Sequence, residues 1–133
     1  MSRSDPPDSG PSVLVVDDDQ ALRGLFTTLL GRKGFSVDTA PDGRAAFDQI
    51  HRHPYSVILL DLMMPEVNGF ELLERLKRDS PSLLEKVIVM TGASQRSIEK
   101  LDTTGIWGMI RKPFDIDKLV SSTLACSQGR RDH

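Results

Sequence analysis

Polar side chains that can do chemistry stand at the ends of four of the short apolar runs in this chain. They are Asp17, Asp18 and Asp19 after the first run, Asp61 after the third, Thr91 after the fourth and Lys112 after the fifth. Carboxylates brought close together repel and raise each other's pKa unless a cation joins them. A small number of hard oxygen ligands suits Mg²⁺, which keeps several waters and also binds phosphate oxygens.

A magnesium site beside a lysine and a threonine is typical of phosphoryl transfer. A carboxylate held there can attack phosphorus and become an aspartyl phosphate. The cation, the ammonium of Lys112 and the hydroxyl of Thr91 would meet the negative charge on the transferring group. Taken singly, each residue has a plainer interpretation as a turn residue, a helix cap or a surface charge. Their occurrence at the ends of several runs favours one shared site.

The apolar runs predict five β-strands, because three of them are nearly continuous in Val, Ile and Leu, as in strands covered on both faces. The predicted strands are Val13–Val16, Ser36–Thr39, Val57–Leu60, Val87–Met90 and Gly108–Ile110. Stretches with helical spacing separate and follow them. The helical signals are Leu22 to Leu30 with a stop at Gly34, Ala46 to Ile50 after Asp42, Phe70 to Leu76 before Pro81, a weak pair Ile98 and Leu101, and Ile116 to Leu124 after Asp115.

Five strand–helix units in series predict an α/β fold, a doubly wound five-stranded parallel sheet with helices on both faces. Right-handed crossovers favour the flavodoxin-like strand order 2-1-3-4-5. Ligands of such sheets bind outside the carboxyl ends of the strands. The polar residues lie at those ends, so the predicted fold would gather them at one edge.

Length and composition narrow the function further. The 133 residues are enough for one domain, and 17 basic against 19 acidic residues give a net charge of −2, so we expect no binding of nucleic acid by this chain. Cys126 is the only cysteine, which excludes an internal disulfide. No signal peptide and no membrane-spanning run is evident, so we expect a cytoplasmic protein with no membrane contact. We predict a disordered tail over residues 1–11, a domain over 12–126 and a C-terminal tail over 127–133.

The chain resembles the receiver domains of two-component response regulators from near Ser12 to near Cys126. The segments that carry the resemblance are VLVVDDDQALR (13–23), DGRAAF (42–47), VILLDLMMPEVNGFELLERL (57–76), VIVMTG (87–92) and IRKPF (110–114). The 57–76 segment and the Lys-Pro-Phe are the specific ones. The resemblance implies a switch in a phosphorelay, phosphorylated by a histidine kinase or a histidine phosphotransfer protein, that is not an enzyme beyond its own phosphorylation and dephosphorylation.

The resemblance also implies a role for each matching residue. Asp61 would be the phosphoacceptor, and Asp17 and Asp18 would be the acidic pair that holds Mg²⁺ together with Asp61. The backbone carbonyl of Met63 would be a further metal ligand. Thr91 would donate a hydrogen bond to the phosphoryl group and Lys112 would pair with it. The Lys112–Pro113 bond is often cis in similar proteins.

One position departs from the family pattern. Receivers commonly carry Tyr or Phe three residues before the lysine, and that ring moves when the threonine shifts toward the phosphoryl group. Here the position is Met109, which has neither ring nor hydroxyl. Trp107 either supplies an aromatic ring to the same surface or is a partly buried packing residue. The downstream protein target is expected on the face formed by the fourth predicted helix, the fifth strand and the fifth helix, with Ile106, Trp107 and Met109 as apolar contacts.

Two other functions fit parts of the pattern. A haloacid-dehalogenase-like phosphatase would use an Asp-x-Asp after its first strand, which Asp17 and Asp19 satisfy, but it would leave Asp61 unexplained. A degenerate receiver would act as an interaction module without phosphorylation, and Met109 weakly favours it. The sequence leaves open whether the domain acts alone or within a longer protein.

Overall fold

A computed structural model of the chain describes residues 11–62, 69–92, 104–113 and 115–130, without the side chains of residues 69 and 70. Several predictions fall outside these residues. They are the N-terminal tail up to residue 10, the metal ligand Met63, the weak fourth helix around Ile98 and Leu101, the last residue of the IRKPF motif, Phe114, and the last three residues of the C-terminal tail.

Five parallel strands form one sheet in the order β2-β1-β3-β4-β5. The strands are β1 (Ser12–Val16), β2 (Ser36–Ala40), β3 (Val57–Asp61), β4 (Val87–Thr91) and β5 (Gly108–Arg111). This is the predicted order, and each strand is one residue longer than its apolar run. The extra residues at the carboxyl ends of β3 and β4 are Asp61 and Thr91, so two of the candidate residues are themselves part of the sheet.

The described helices lie between the strands and after the last one. They are α1 (Gln20–Arg32), α2 (Gly43–Arg52), α3 (Gly69–Asp79), a 3₁₀ helix (Pro81–Lys86) and the C-terminal helix (Ile116–Ser127). Three of them begin after an aspartate whose carboxylate accepts hydrogen bonds from backbone N–H groups of the first turn; the caps are Asp19, Asp42 and Asp115. Such caps stabilise the otherwise unpaired donors of a helix start.

The core lies in two layers, one on each face of the sheet, because alternate residues of each strand point to opposite faces. On one face, Leu14, Ile58 and Leu60 pack in one cluster with Leu72 and Leu76 of α3. The other cluster joins strand residues to α1 and the C-terminal helix; its members include Val15, Leu59, Met90, Phe26, Leu30 and Leu119. Every residue of β1, β3 and β4 is buried, so the strands that end at the candidate site form the centre of the fold.

None of the described helices has the length and the apolar composition needed to span a bilayer.

Candidate functional site

The candidate residues meet at the carboxyl edge of the sheet. Asp61 ends β3 and pairs in register with Met90, and Thr91 ends β4 and pairs with Arg111, the residue before Lys112. Strand β1 lies on the other side of β3 and leads directly into Asp17. Because all five strands are parallel, the residues that follow them come out at one edge. The sheet thus brings together side chains that are up to 95 positions apart in the chain, from Asp17 to Lys112 (112 − 17).

Three carboxylates form the acidic part of the site. One oxygen from each of Asp17, Asp18 and Asp61 lies within 4.8 Å of the other two. Asp17 and Asp61 are buried, with 1% and 2% of their surface exposed, whereas Asp18 is exposed to solvent. The cluster is therefore buried at Asp17 and Asp61 but reaches solvent at Asp18. An ion bound by these carboxylates could enter from that side.

Lys112 supplies the positive charge. Its Nζ lies 3.3 Å from Oδ2 of Asp61 and 3.9 Å from Oδ2 of Asp17. The backbone N–H of Lys112 donates to the carbonyl of Thr91 at 2.8 Å, which holds the lysine beside the end of β4. The Lys112–Pro113 peptide bond is cis, as the family resemblance led us to expect. Among the described residues this one ammonium is shared by two carboxylates, so it compensates their charge only in part.

Asp17 carries the clearest electrostatic signature of the site. The pKa of Asp17 is raised from 3.8 to about 6, chiefly by burial and also by the neighbouring Asp61 carboxylate, although the Asp19 N–H and the Lys112 ammonium lower it. The N–H of Asp19 donates to Oδ1 of Asp17 at 2.9 Å. The other oxygen, Oδ2, is buried and has no hydrogen-bond partner in the described part of the chain.

A buried carboxylate oxygen without a donor is costly unless a cation approaches it. The three oxygens of Asp17, Asp18 and Asp61 are hard ligands, which suit Mg²⁺ better than a softer transition metal. The residues present therefore fit a magnesium ion. The fourth predicted ligand, the carbonyl of Met63, lies outside the described residues.

Thr91 lies at the same edge as the carboxylates. Its surface is fully buried, and it ends the strand next to the one that carries Asp61. Thr91 thus lies beside the end of β3 and lacks the freedom of a surface side chain.

Asp19 belongs to a helix and not to the acidic cluster. Its Oδ1 accepts hydrogen bonds from the backbone N–H groups of Ala21 at 2.9 Å and Leu22 at 3.3 Å, which is the geometry of an N-cap. The second acid of the alternative Asp-x-Asp phosphatase pattern is thus occupied in capping α1. This observation speaks against that alternative.

Arg23 is a residue near the site to which the sequence pattern assigned no role. Its Nη1 donates to the backbone carbonyl of Asp17 at 2.7 Å, and its side chain is half-buried. The signal for it was present in the sequence, since the sixth residue after Asp17 falls on the second turn of α1. An arginine at that place has several other possible partners on a protein surface, so the spacing alone did not identify the contact.

Met109, the position that departs from the pattern of similar proteins, has neighbours in the chain that pack on both faces of the sheet. Met109 and Ile106 are partly buried against the cluster that includes α3, whereas Trp107 packs on the opposite cluster. The indole N–H of Trp107 donates a short hydrogen bond to the carbonyl of Arg130. Trp107 is therefore a packing residue and does not supply an aromatic ring beside Met109.

A family model described as the response regulator receiver domain matches residues 13–123. Among curated proteins, the chain is 33% identical over 120 residues to the transcriptional regulatory protein TcrA of Mycobacterium tuberculosis, covering 90% of this chain and 47% of that protein. It is 30% identical over 123 residues to the response regulator ArlR of Staphylococcus epidermidis, covering 91% and 54%. The chain spans about half the length of these curated relatives.

Solved structures give the same result. The receiver domain of a Francisella response regulator superposes with a TM-score of 0.79 at 30% identity, covering 90% of this chain and 98% of that one. The response regulator TrrA of Thermotoga maritima, solved in complex with Mg²⁺ and BeF, superposes with a TM-score of 0.76 at 25% identity, covering 88% and 99%. With the parallel sheet, the acidic cluster at its carboxyl edge and the lysine beside it, these matches establish that the chain belongs to the response regulator receiver domain family.

Proposed function

We propose that this domain is a phosphoacceptor that takes a phosphoryl group on Asp61 from a histidine kinase or a histidine phosphotransfer protein in a reaction that depends on Mg²⁺. The observation that carries the proposal is the buried Asp61 carboxylate, with the ammonium of Lys112 3.3 Å from its Oδ2 and two further acids within 4.8 Å. Of the three carboxylates, that of Asp61 ends the central strand β3 and lies closest to the lysine, which suits the nucleophile.

The proposed step is the transfer of one phosphoryl group from a phosphohistidine of the donor to the carboxylate of Asp61. A carboxylate oxygen of Asp61 attacks phosphorus, and a P–O bond forms. The P–N bond of the donor phosphohistidine breaks, and its electron pair leaves with the imidazole. The negative charge on the phosphoryl oxygens is met by the ammonium of Lys112 and by a hydrogen bond from the hydroxyl of Thr91. Asp17 and Asp18 do not react; they would hold the cation.

The proposed metal ligands are Asp17, Asp18, Asp61 and the backbone carbonyl of Met63. A bound Mg²⁺ would offset the charge of the carboxylates and of the incoming phosphoryl group. Support comes from the buried Oδ2 of Asp17, which accepts no hydrogen bond from the described residues, and from TrrA, a similar protein whose structure contains Mg²⁺ and BeF.

The proposed output is a change in protein contacts and not the turnover of a substrate. Phosphorylation would shift an equilibrium between two conformations of a face that includes β5 and the C-terminal helix, with Ile106 and Met109 near the contact to the target protein. We place the receiver domain at residues 12–126 and in the cytoplasm, where the ATP that kinases need is found.

The test is phosphorylation by a small-molecule donor. The purified protein is incubated with acetyl phosphate, with and without Mg²⁺, and its intact mass is measured. We expect a gain of one phosphoryl group that requires Mg²⁺ and is absent in Asp61→Asn. Asp17→Asn should lose most of the gain at the same Mg²⁺ concentration, whereas Asp115→Asn, a helix cap far from β3 in the chain, should keep it.

The absence of any phosphoryl gain in the wild-type protein, with acetyl phosphate and with a histidine kinase, would contradict the proposal and favour an interaction module. A gain that survives Asp61→Asn and is lost only in Asp17→Asn would contradict the choice of the acceptor.

A further inference from the structure

The loop between β1 and α1 carries two of the three clustered acids, and it is closed by hydrogen bonds. The N–H of Asp19 donates to Oδ1 of Asp17 at 2.9 Å, and the N–H of Arg23 donates to the carbonyl of Asp19 at 3.0 Å. The ring is completed by the Arg23 side chain, whose Nη1 returns to the carbonyl of Asp17 at 2.7 Å. Removal of the Arg23 guanidinium opens this ring at the residue that follows β1.

The loop needs such a brace because its own charges oppose its conformation. Asp17 and Asp18 face Asp61 within 4.8 Å, and the nearby ammonium of Lys112 is shared between Asp61 and Asp17. A loop free to move would relieve the repulsion by carrying Asp17 and Asp18 away from Asp61. A charged donor holds a carbonyl more strongly than a neutral one does, and the guanidinium also brings a positive charge to the acidic edge.

We infer that Arg23 is a positioning residue that holds the β1–α1 loop in the conformation required to bind a divalent cation. It acts through the Asp17 carbonyl and does not touch the transferred group. The inference rests on the proposed function for the identity of the ion, Mg²⁺. Loss of the Arg23 side chain should therefore weaken metal binding, and excess metal should fill the weakened site again. The transfer step itself should show no defect.

The test uses two variants of Arg23. Arg23→Met keeps much of the apolar stem and removes every side-chain donor, and Arg23→Lys keeps the positive charge. Arg32→Met is the matched control, because Arg32 is exposed in the last turn of the same helix. Mg²⁺ alone is titrated into each protein and followed by ¹H–¹⁵N NMR, and thermal unfolding without metal reports on folding. Phosphorylation by acetyl phosphate is then measured at low and at saturating Mg²⁺.

We expect the Kd for Mg²⁺ to rise by roughly 5- to 30-fold in Arg23→Met, the equivalent of one charged hydrogen bond lost in part. Arg23→Lys should lie between this variant and the wild type, and Arg32→Met should bind within about twofold of the wild type, as surface substitutions usually do. At saturating Mg²⁺ the phosphorylation rate of Arg23→Met should return to the wild-type rate.

A wild-type Kd in Arg23→Met would overturn the inference, and so would a phosphorylation defect that saturating Mg²⁺ does not correct. If Arg23→Met fails to fold, the comparison passes to Arg23→Lys, for which an unchanged Kd would overturn it. The Mg²⁺ titration remains informative if the wild-type protein accepts no phosphoryl group. In that case the proposed function fails while the role of Arg23 is still decided by the Kd values.

Discussion

Among the described residues, Asp17 is the one whose surroundings most disfavour its charged form. Its pKa is raised to about 6, chiefly by burial, and its Oδ2 has no hydrogen-bond donor among the described residues. A charge held in this way destabilises the metal-free protein, and the proposed cation would offset that loss of stability. Receiver function and folding stability are therefore opposed at this residue.

At the residue scale we predict that Asp17→Asn makes the metal-free protein more stable at neutral pH. The folded-state pKa of about 6 is higher than the ordinary value of 3.8. As the pH rises, the Asp17 carboxyl therefore loses its proton in the unfolded chain before it does so in the folded protein. The folded state loses stability between these two pKa values. This loss of stability is absent below the lower pKa and fully present above the higher pKa. The variant should gain on the order of 1–3 kcal/mol in the free energy of unfolding at pH 7 and nothing at pH 3.5.

Urea unfolding without divalent metal, at several pH values between 3.5 and 8, measures this difference. Asp18→Asn is the control, because Asp18 is exposed and its substitution should change the free energy of unfolding by less than about 0.5 kcal/mol. A stability difference between wild type and Asp17→Asn that does not vary with pH would show that the carboxylate is not the cause.

The positions of the site residues could be predicted from the sequence, but not their environments. Parallel strands bring their carboxyl ends to one edge, so Asp17, Asp61 and Lys112 were expected to meet there. Burial of Asp17 beside an exposed Asp18 depends on how the loop turns after β1, which no periodicity encodes. The use of Asp19 as a cap and of Arg23 as a brace follows from the same turn.

At the scale of the elements, α1 begins where the site ends, because Asp19 caps the helix two residues after the buried Asp17. Its carboxylate accepts from the N–H groups of Ala21 and Leu22. We predict that Asp19→Ala lowers the free energy of unfolding by about 1 kcal/mol, the usual loss for an N-cap. Asp19→Asn should lose much less, since asparagine caps almost as well.

Urea unfolding measures both variants, and phosphorylation at saturating Mg²⁺ separates a cap from an acid that takes part in the chemistry. Both variants should still be phosphorylated on the acceptor Asp. Abolished phosphorylation in Asp19→Asn, with stability intact, would give Asp19 the catalytic role of the phosphatase alternative.

The strands were more predictable than the helical segments. Nearly continuous apolar runs identified β1, β3 and β4, whereas β2 and β5 were predicted mainly from their position in the strand–helix repeat. Each strand extends one residue beyond its predicted bounds, at β3 and β4 by the polar residues Asp61 and Thr91. The 3₁₀ helix Pro81–Lys86 was not predicted, because six residues are too few to show a periodic apolar pattern. Its Leu84 is nevertheless buried in the core, so tertiary packing decides this segment.

At the scale of the whole molecule, the strand order follows from chain connectivity. Right-handed crossovers leave few ways to arrange five strand–helix units, and the order 2-1-3-4-5 places β1 and β3 side by side at the centre of the acidic edge. The last residues of central, fully buried strands move little relative to one another. An ion bound there would join β3 to the β1–α1 loop and would stabilise the folded domain as a unit.

We therefore predict that Mg²⁺ raises the unfolding temperature of the wild-type domain at pH 7. At ten times its Kd, a ligand of the folded state alone contributes about 1.4 kcal/mol, which corresponds to roughly 3–8 °C for a domain of this size. Differential scanning calorimetry with Mg²⁺, against NaCl at equal ionic strength, measures the shift. An equal rise in Asp17→Asn would mean that Mg²⁺ acts elsewhere on the protein.

The identity of the phosphorylated residue is the central claim, and chemical trapping tests it most directly. After incubation with acetyl phosphate and Mg²⁺, the protein is reduced with borohydride, which converts an aspartyl phosphate to homoserine, and is then digested and sequenced by tandem mass spectrometry. We predict homoserine at position 61 and at no other aspartate. Homoserine at position 17, or none in a protein whose intact mass shows the phosphoryl group, would contradict the assignment of Asp61 as the acceptor.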